Sequence, residues 1–228
     1  MEYSLTGNRF YRVMGFVLFG LVIAGFGFAA ILRGQNPFEL TLIFHLHGIV
    51  YLCWFVLFIV QVSLIDNNKA LHMSLGKLSL VIVALMLITG WLMARGSFER
   101  GVSPIPDMSI QQFMAFPLFD LLGLLVFYSL GLLRRFNADF HKRAMLLSLI
   151  AIIDPAVARI GISIGFAPFP LVASLLLVGA VIWHDRAISN RVHMITWFGF
   201  AWIFIRVAFV FGIASSKLWA DVANSLFS

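Results

Sequence analysis

Long apolar runs are the feature that most constrains the fold of this chain. There are seven, each about twenty residues long, separated by short polar breaks. A helix of that length spans roughly 30 Å, the thickness of the hydrocarbon core of a bilayer. The sequence therefore predicts an all-α membrane protein, a bundle of about seven transmembrane helices in one domain over residues 1–228. The predicted spans are 13–32, 40–65, 75–94, 114–133, 144–166, 169–184 and 194–214.

Composition excludes other classes of protein. The chain is 61% hydrophobic and 11% charged, whereas soluble domains are nearer half apolar and a quarter charged. We find none of the ~10-residue alternating stretches that a transmembrane β-barrel requires. The formal charge of +6 comes from basic residues at the ends of the apolar runs. We therefore expect the lipid bilayer to be the partner of these residues, and no nucleic acid.

The basic residues also predict an orientation. Cytoplasmic loops of membrane proteins are rich in Lys and Arg. Ten lie on the side of the N-terminus: Arg9, Arg12, Lys69, Lys77, Arg134, Arg135, Lys142, Arg143, Arg186 and Arg191. Four lie on the other side: Arg33, Arg95, Arg100 and Lys217. This excess predicts that the N-terminus is in the cytoplasm. With seven spans, the C-terminus is then outside.

Four charged residues lie well away from the ends of the predicted spans. Asp120, Asp154, Arg159 and Arg206 all map to the middle or outer part of a span. A charged side chain at mid-membrane costs at least ~2.5–3.5 kcal/mol, so such residues face the bundle interior and pair with one another. Asp154 and Arg159 are five residues apart, about 140° around a helix. We therefore expect the aspartates to pair with an arginine from another helix, either as a structural ion pair or as part of a binding site.

Polar side chains form a stripe along the second span. His47, Tyr51, Trp54, Phe58 and Gln61 recur at alternating spacings of four and three, which places them on one helical face. This stripe predicts an interior face, used for interhelical packing or for an outer-half pocket. We expect His47, Tyr51, Trp54 and Gln61 to line that ligand-binding pocket. The other residues predicted to line this pocket are Asp120, Asp154, Arg159 and Arg206.

Histidines supply candidate ligands for a metal ion or haem. His72, His141, His184 and His193 lie at the cytoplasmic ends of spans, where histidine commonly faces lipid headgroups. Two or more that converge could instead bind a metal, because helical bundles build such sites from facing helices. His45 lies two residues from His47 and on another helical face. The candidate metal ligands are His45, His47, His72 and His141.

Two stretches of the chain carry a recognisable pattern. The first runs from His45-Leu46-His47-Gly48 through Trp54 and Gln61 to Leu71-His72-Met73-Ser74-Leu75-Gly76-Lys77. The second is His141-Lys142-Arg143-Ala144-Met145, followed by Arg159. Together they resemble a family of bacterial multi-pass inner-membrane proteins with no assigned reaction. The resemblance implies the bacterial inner membrane. It draws attention to these positions, and it implies no chemistry.

The sequence leaves three functions open. The first is a membrane protein that holds a haem, a metal ion or a small lipid-soluble ligand in a polar intramembrane pocket, with a redox-accessory role as one form of this function. The second is a small proton-coupled transporter or channel that uses the Asp/Arg cluster. The third is an intramembrane enzyme. Its only catalytic pattern is Gly161-Ile162-Ser163-Ile164-Gly165, which lies at the end of a span instead of in the strand–turn–helix context of serine hydrolases.

Overall fold

The described part of the chain is helical, as expected. The computed structural model describes residues 2–32 and 40–227, and this part contains no strand. The helices are α1 (Glu2–Leu32), α2 (Leu42–Leu64), α3 (Lys69–Glu99), α4 (Ile110–Phe113), α5 (Ala115–Leu133), α6 (Ala138–Ile150), α7 (Asp154–Ser163), α8 (Phe169–Ser189), α9 (Met194–Ala208) and α10 (Lys217–Phe227). The basic residue Arg33, which we counted on the outer side, lies outside the described residues.

Six segments are long and apolar enough to cross a membrane. They are Asn8–Gly27, Leu42–Leu64, Lys69–Glu99, Ile110–Leu133, Phe169–Ser189 and Met194–Ile213. A seventh crossing requires α6 and α7 to act together, although they are bent by 42° at their junction. The described part of the chain therefore has six or seven candidate spans.

The junction between α6 and α7 interrupts the helix within the predicted span over 144–166. The helix stops at Ile150, and a new one starts at Asp154 with Pro155 in its first turn. Proline has no backbone N–H, and its ring collides with the carbonyl four residues earlier, here that of Ala151. The break follows from this one residue. Hydropathy does not register it, because Ala151, Ile152 and Ile153 are as apolar as the helices on either side.

A buried polar network ties α6, α8 and α9 together at one end of the bundle. The Nε of Arg143 donates to Asp185 at 2.7 Å, and the Thr196 hydroxyl donates to the same carboxylate at 2.7 Å. The backbone N–H of His193 makes a third bond to it, at 3.0 Å. Burial lowers the pKa of His193 below its ordinary value, and the nearby Arg143 lowers it further. Both oxygens of the Asp185 carboxylate therefore accept hydrogen bonds, and this network stabilises the fold.

The other end of the bundle carries an amphipathic helix that sequence reasoning missed. A π-helical segment, Phe209–Ile213, extends α9, and α10 then folds back against α3 and α4. Phe227 stacks on Trp91 with ring centroids 4.8 Å apart. The indole N–H of Trp219 donates to the Gln111 carbonyl at 2.7 Å. Only one face of α10 is apolar, so its mean hydropathy does not distinguish it from a loop.

Candidate functional site

The structure brings three buried charges together from three different helices. Arg206 of α9 forms an ion pair with Asp154 of α7, and its Nη1 lies 3.5 Å from the Oδ1 of Asp120 on α5. Each of the three residues is only 7% exposed. The pairing of aspartate with an arginine from another helix, which the sequence predicts, is therefore observed.

The two aspartates have different surroundings. Asp154 lies at the α6–α7 break, and its Oδ1 accepts a hydrogen bond of 2.9 Å from the Ser174 hydroxyl of α8. Asp154 therefore has a hydroxyl and a guanidinium as partners. The Oδ1 of Asp120 is buried and makes no hydrogen bond with any described residue. Arg206 is thus shared unequally, and Asp120 is the weakly held member.

Arg159, which the sequence analysis grouped with the other charges, has its described contacts outside these ion pairs. Its guanidinium donates to the Pro155 carbonyl at 2.7 Å and lies 4.3 Å from the centroid of the Phe26 ring. Among the described ion pairs, the site contains two carboxylates and one guanidinium. If all three are ionised, one negative charge is in excess. An uncompensated charge in a low-dielectric interior is costly, so such a site favours binding a proton or a small cation.

A small cavity adjoins the cluster. Arg206 and Ser174 line it together with apolar side chains of α5, α6, α8 and α9. Its volume is about 20 Å³, which is enough for one water molecule. Polar groups on its wall make the cavity suitable for water. Its volume is too small for an organic ligand.

The stripe on α2 divides into two groups. His47 packs on Tyr51 with ring centroids 4.1 Å apart, and Tyr51 lies within range of the charge of Asp120. The Nδ1 of His47 is buried without a hydrogen-bond partner among the described residues. Trp54 instead packs edge-on against Tyr128 of α5, and Gln61 lies beyond it towards α3. The stripe faces the interior, but only its first two residues lie near the charged cluster.

Two of the candidate metal ligands form hydrogen bonds with backbone carbonyl groups of neighbouring helices. The Nδ1 of His72 lies 3.1 Å from the Gln61 carbonyl, and the Nδ1 of His141 lies 2.8 Å from the Gly131 carbonyl. Because a carbonyl only accepts, both Nδ1 atoms carry a proton, and in a neutral ring the Nε2 atom keeps the lone pair. His45 and His47 lie elsewhere, in the first turns of α2. Within residues 2–32 and 40–227, no three His, Cys, Asp or Glu side chains form a group that could hold a metal ion.

Ser163, in the pattern of serine hydrolases, has a structural contact. Its hydroxyl donates to the Arg159 carbonyl one turn earlier, at 2.8 Å.

Ser174 is the site residue that sequence reasoning missed. A single serine is common in membrane helices, so no pattern distinguished it from the others.

No protein-family model, no curated protein and no solved structure matches this chain. The residues of the site are therefore the basis for any functional conclusion.

Proposed function

We propose that the chain is a multi-pass protein of the bacterial inner membrane that couples the binding of a proton to the transport of a small solute. In this proposal the N-terminus is cytoplasmic, the C-terminus is outside, and α6 with α7 forms one broken span. The cluster of Asp120, Arg206 and Asp154 is the proton-binding site. The orientation is supported by the ten-to-four distribution of basic residues.

One observation carries the proposal: two buried carboxyl groups share one guanidinium. With both ionised, the site holds a surplus negative charge, which a single proton removes. Asp154 has the better partners, Arg206 and Ser174, so Asp120 is the group that takes and releases the proton. Ionisable residues inside membrane spans commonly act in proton relays.

The helix break supports the same function. Asp154 is the first residue of α7, and the backbone at 151–153 leaves the regular helix beside it. Secondary transporters often place ion sites where a membrane helix is interrupted, because free backbone groups and helix ends are available there. A break also lets two half-helices move separately, which alternating access requires.

Infrared difference spectroscopy of the reconstituted protein tests the proposal. As pH is raised, we expect a carbonyl band of a protonated carboxyl group to disappear, with the small shift in heavy water that marks an exchangeable proton. The Asp120→Asn variant should lack this band, and Asp66→Asn, at an exposed aspartate in the turn after α2, is the matched control. A band that remains in Asp120→Asn, or its absence from the wild-type protein, contradicts the proposal.

The paired histidines favour a second candidate function. In their neutral form His72 and His141 each have an Nε2 lone pair, and the charge of His72 acts on His141, so the two lie within electrostatic range of each other. A hydrogen bond from Nδ1–H to a carbonyl is the usual second-shell support of a metal-bound histidine. The pair could therefore hold haem or a transition metal ion. A Soret band or bound metal in the purified protein, lost in His141→Ala, would support this candidate, and their absence after supplementation would refute it.

A further inference from the structure

An apolar groove runs between α3 and α5 on the surface of the bundle. Its volume is about 500 Å³. The residues that line it are Leu87, Ile88, Trp91, Leu92, Leu118, Leu121, Leu122 and Leu125. None has a charge, and several are exposed, Ile88 by 56%. Since α3 and α5 belong to candidate membrane spans, the groove opens towards the hydrocarbon of the bilayer. Its lining suits a hydrocarbon chain.

The wall between this groove and the polar interior is one side chain thick. A Cβ atom placed on Gly90 of α3 would lie 2.6 Å from both the Tyr51 hydroxyl and the Cδ2 of Leu121. The three residues therefore meet at one point. Leu121 lies on the groove side and Tyr51 on the interior side. Rotation of the Leu121 side chain would connect the groove with Tyr51.

The interior side of this wall offers hydrogen bonds. The Nδ1 of His47 is buried and without a partner among the described residues. The Tyr51 hydroxyl makes only a long bond of 3.3 Å to the Met86 carbonyl, and it faces the charge of Asp120. Arg159 acts with its positive charge on His47, and Asp120 acts with its negative charge on Tyr51. An anionic head group would lose its hydration in this buried site, and that loss disfavours it. A neutral head group with a hydroxyl complements these groups.

We propose that the groove admits an amphiphile with one hydrocarbon chain and a neutral hydroxyl-bearing head group. The chain occupies the groove, and the head group passes Leu121 to reach His47 and Tyr51. This inference rests on the proposed function, since it identifies the chemical class of the solute whose movement is coupled to the proton site. The solute reaches that site laterally from the bilayer.

Binding of two matched probes tests the inference. A long-chain alcohol and the carboxylate of the same chain length are compared by native mass spectrometry of the purified protein. We expect the alcohol to bind at least about tenfold more tightly, a difference of 1.4 kcal/mol. Equal binding of the two probes, or preference for the carboxylate, would overturn the proposed head group.

Substitutions in the groove locate the binding. Leu121→Trp fills the groove, and Ile88→Trp at its exposed rim keeps the test informative if Leu121→Trp does not fold. Both should reduce alcohol binding by about tenfold or more. Val81→Trp, 56% exposed on α3 but outside the groove, is the control and should bind as the wild type does. Unchanged binding in both groove variants, or an equal loss in Val81→Trp, means that the alcohol binds elsewhere and overturns the inference.

The infrared carboxyl band separates this inference from the proposed function. It should persist in Ile88→Trp, because the groove is not part of the proton site. Loss of alcohol selectivity with an intact wild-type band refutes the groove alone. A missing wild-type band refutes the proton site whatever the groove binds.

Discussion

Asp120 and Asp154 are held by Arg206 in different ways. Asp154 makes a close ion pair and accepts from Ser174, whereas Asp120 is 3.5 Å from the guanidinium. Asp120→Asn leaves the close pair of Arg206 with Asp154. Asp154→Asn leaves only the long pair of Arg206 with Asp120. Replacement of the arginine leaves two buried carboxylates with no cation. The three changes therefore have different costs.

We predict that Arg206→Met loses the most stability, Asp154→Asn loses less, and Asp120→Asn loses the least. Arg206→Met should cost ~3–5 kcal/mol, the usual penalty for an orphaned buried charge. Asp120→Asn should change stability by less than about 1 kcal/mol, because it removes the surplus charge together with a weak pair. Unfolding in mixed micelles measures all three. A larger loss for Asp120→Asn than for Asp154→Asn would show that Asp120 is the main partner of the arginine.

The hydrogen bond between Ser79 and Tyr128 has a direction that mutagenesis can test. Ser79 donates its single proton to the Gly76 carbonyl at 2.6 Å, so Tyr128 must donate to Ser79 across the 2.7 Å contact. Ser79→Ala then leaves a buried hydroxyl without a partner and should cost ~1–3 kcal/mol. Tyr128→Phe loses only the bond, about 0.5–1.5 kcal/mol.

The double variant of this pair is the control. It contains no orphaned hydroxyl, so it should be no less stable than Ser79→Ala alone. Equal costs for the two single variants would mean that the assigned direction is wrong.

Individual residues also show how far sequence reasoning reaches. The cost of a charge in hydrocarbon predicts that Asp154 and Arg206 face inward and pair, and this holds whatever the detailed packing. This cost does not predict which of the two arginines pairs with the aspartates. Arg159 lies one turn after Pro155 on the same helix, and its direction depends on the bend between α6 and α7. That bend is a property of packed helices, and residue types alone do not fix it.

At the scale of elements, residue spacing predicts which face of a helix is buried but not which helix that face contacts. The stripe on α2 follows from spacing alone, and Trp54 is 3% exposed as an interior position should be. Spacing does not say which neighbour each residue meets, so it does not predict that the stripe divides into two groups. In the structure Tyr51 meets the Met86 backbone of α3, whereas Trp54 meets Tyr128 of α5.

The contact between α1 and α7 depends on one glycine. A Cβ on Gly25 would collide with the backbone carbonyl of Ala156, and backbone cannot move aside as a flexible side chain can. We predict that Gly25→Ala destabilises the protein by about 1–3 kcal/mol, the usual cost of overpacking. Gly20→Ala on the same helix has open space and should stabilise it slightly, because alanine is the better helix former. Thermal unfolding of both variants checks this, and equal effects would show that α1 and α7 are not packed this closely.

At the scale of the whole molecule, the number of crossings depends on α6 and α7. Either the pair crosses the membrane as one broken span, or it enters and leaves on one side. The two possibilities share every local contact described above. They differ in the side of the membrane on which everything after α7 lies, which makes topology a decisive measurement.

We predict that a reporter fused after Phe227 lies outside the cytoplasm. In the proposed orientation the N-terminus is inside. A broken α6–α7 span then gives seven crossings, whereas a re-entrant pair gives six and returns the C-terminus to the cytoplasm. Paired reporters, one active only outside and one only inside, are fused after Phe227 and within the loop at 101–108. The loop lies before the pair, so its side should be outside under either arrangement and serves as the control. An inside signal after Phe227 with an outside signal in the loop would assign α6 and α7 to a re-entrant hairpin. Asp154 would then lie at the tip of that hairpin, and its pairing with Arg206 would fix how deeply the hairpin enters the bundle.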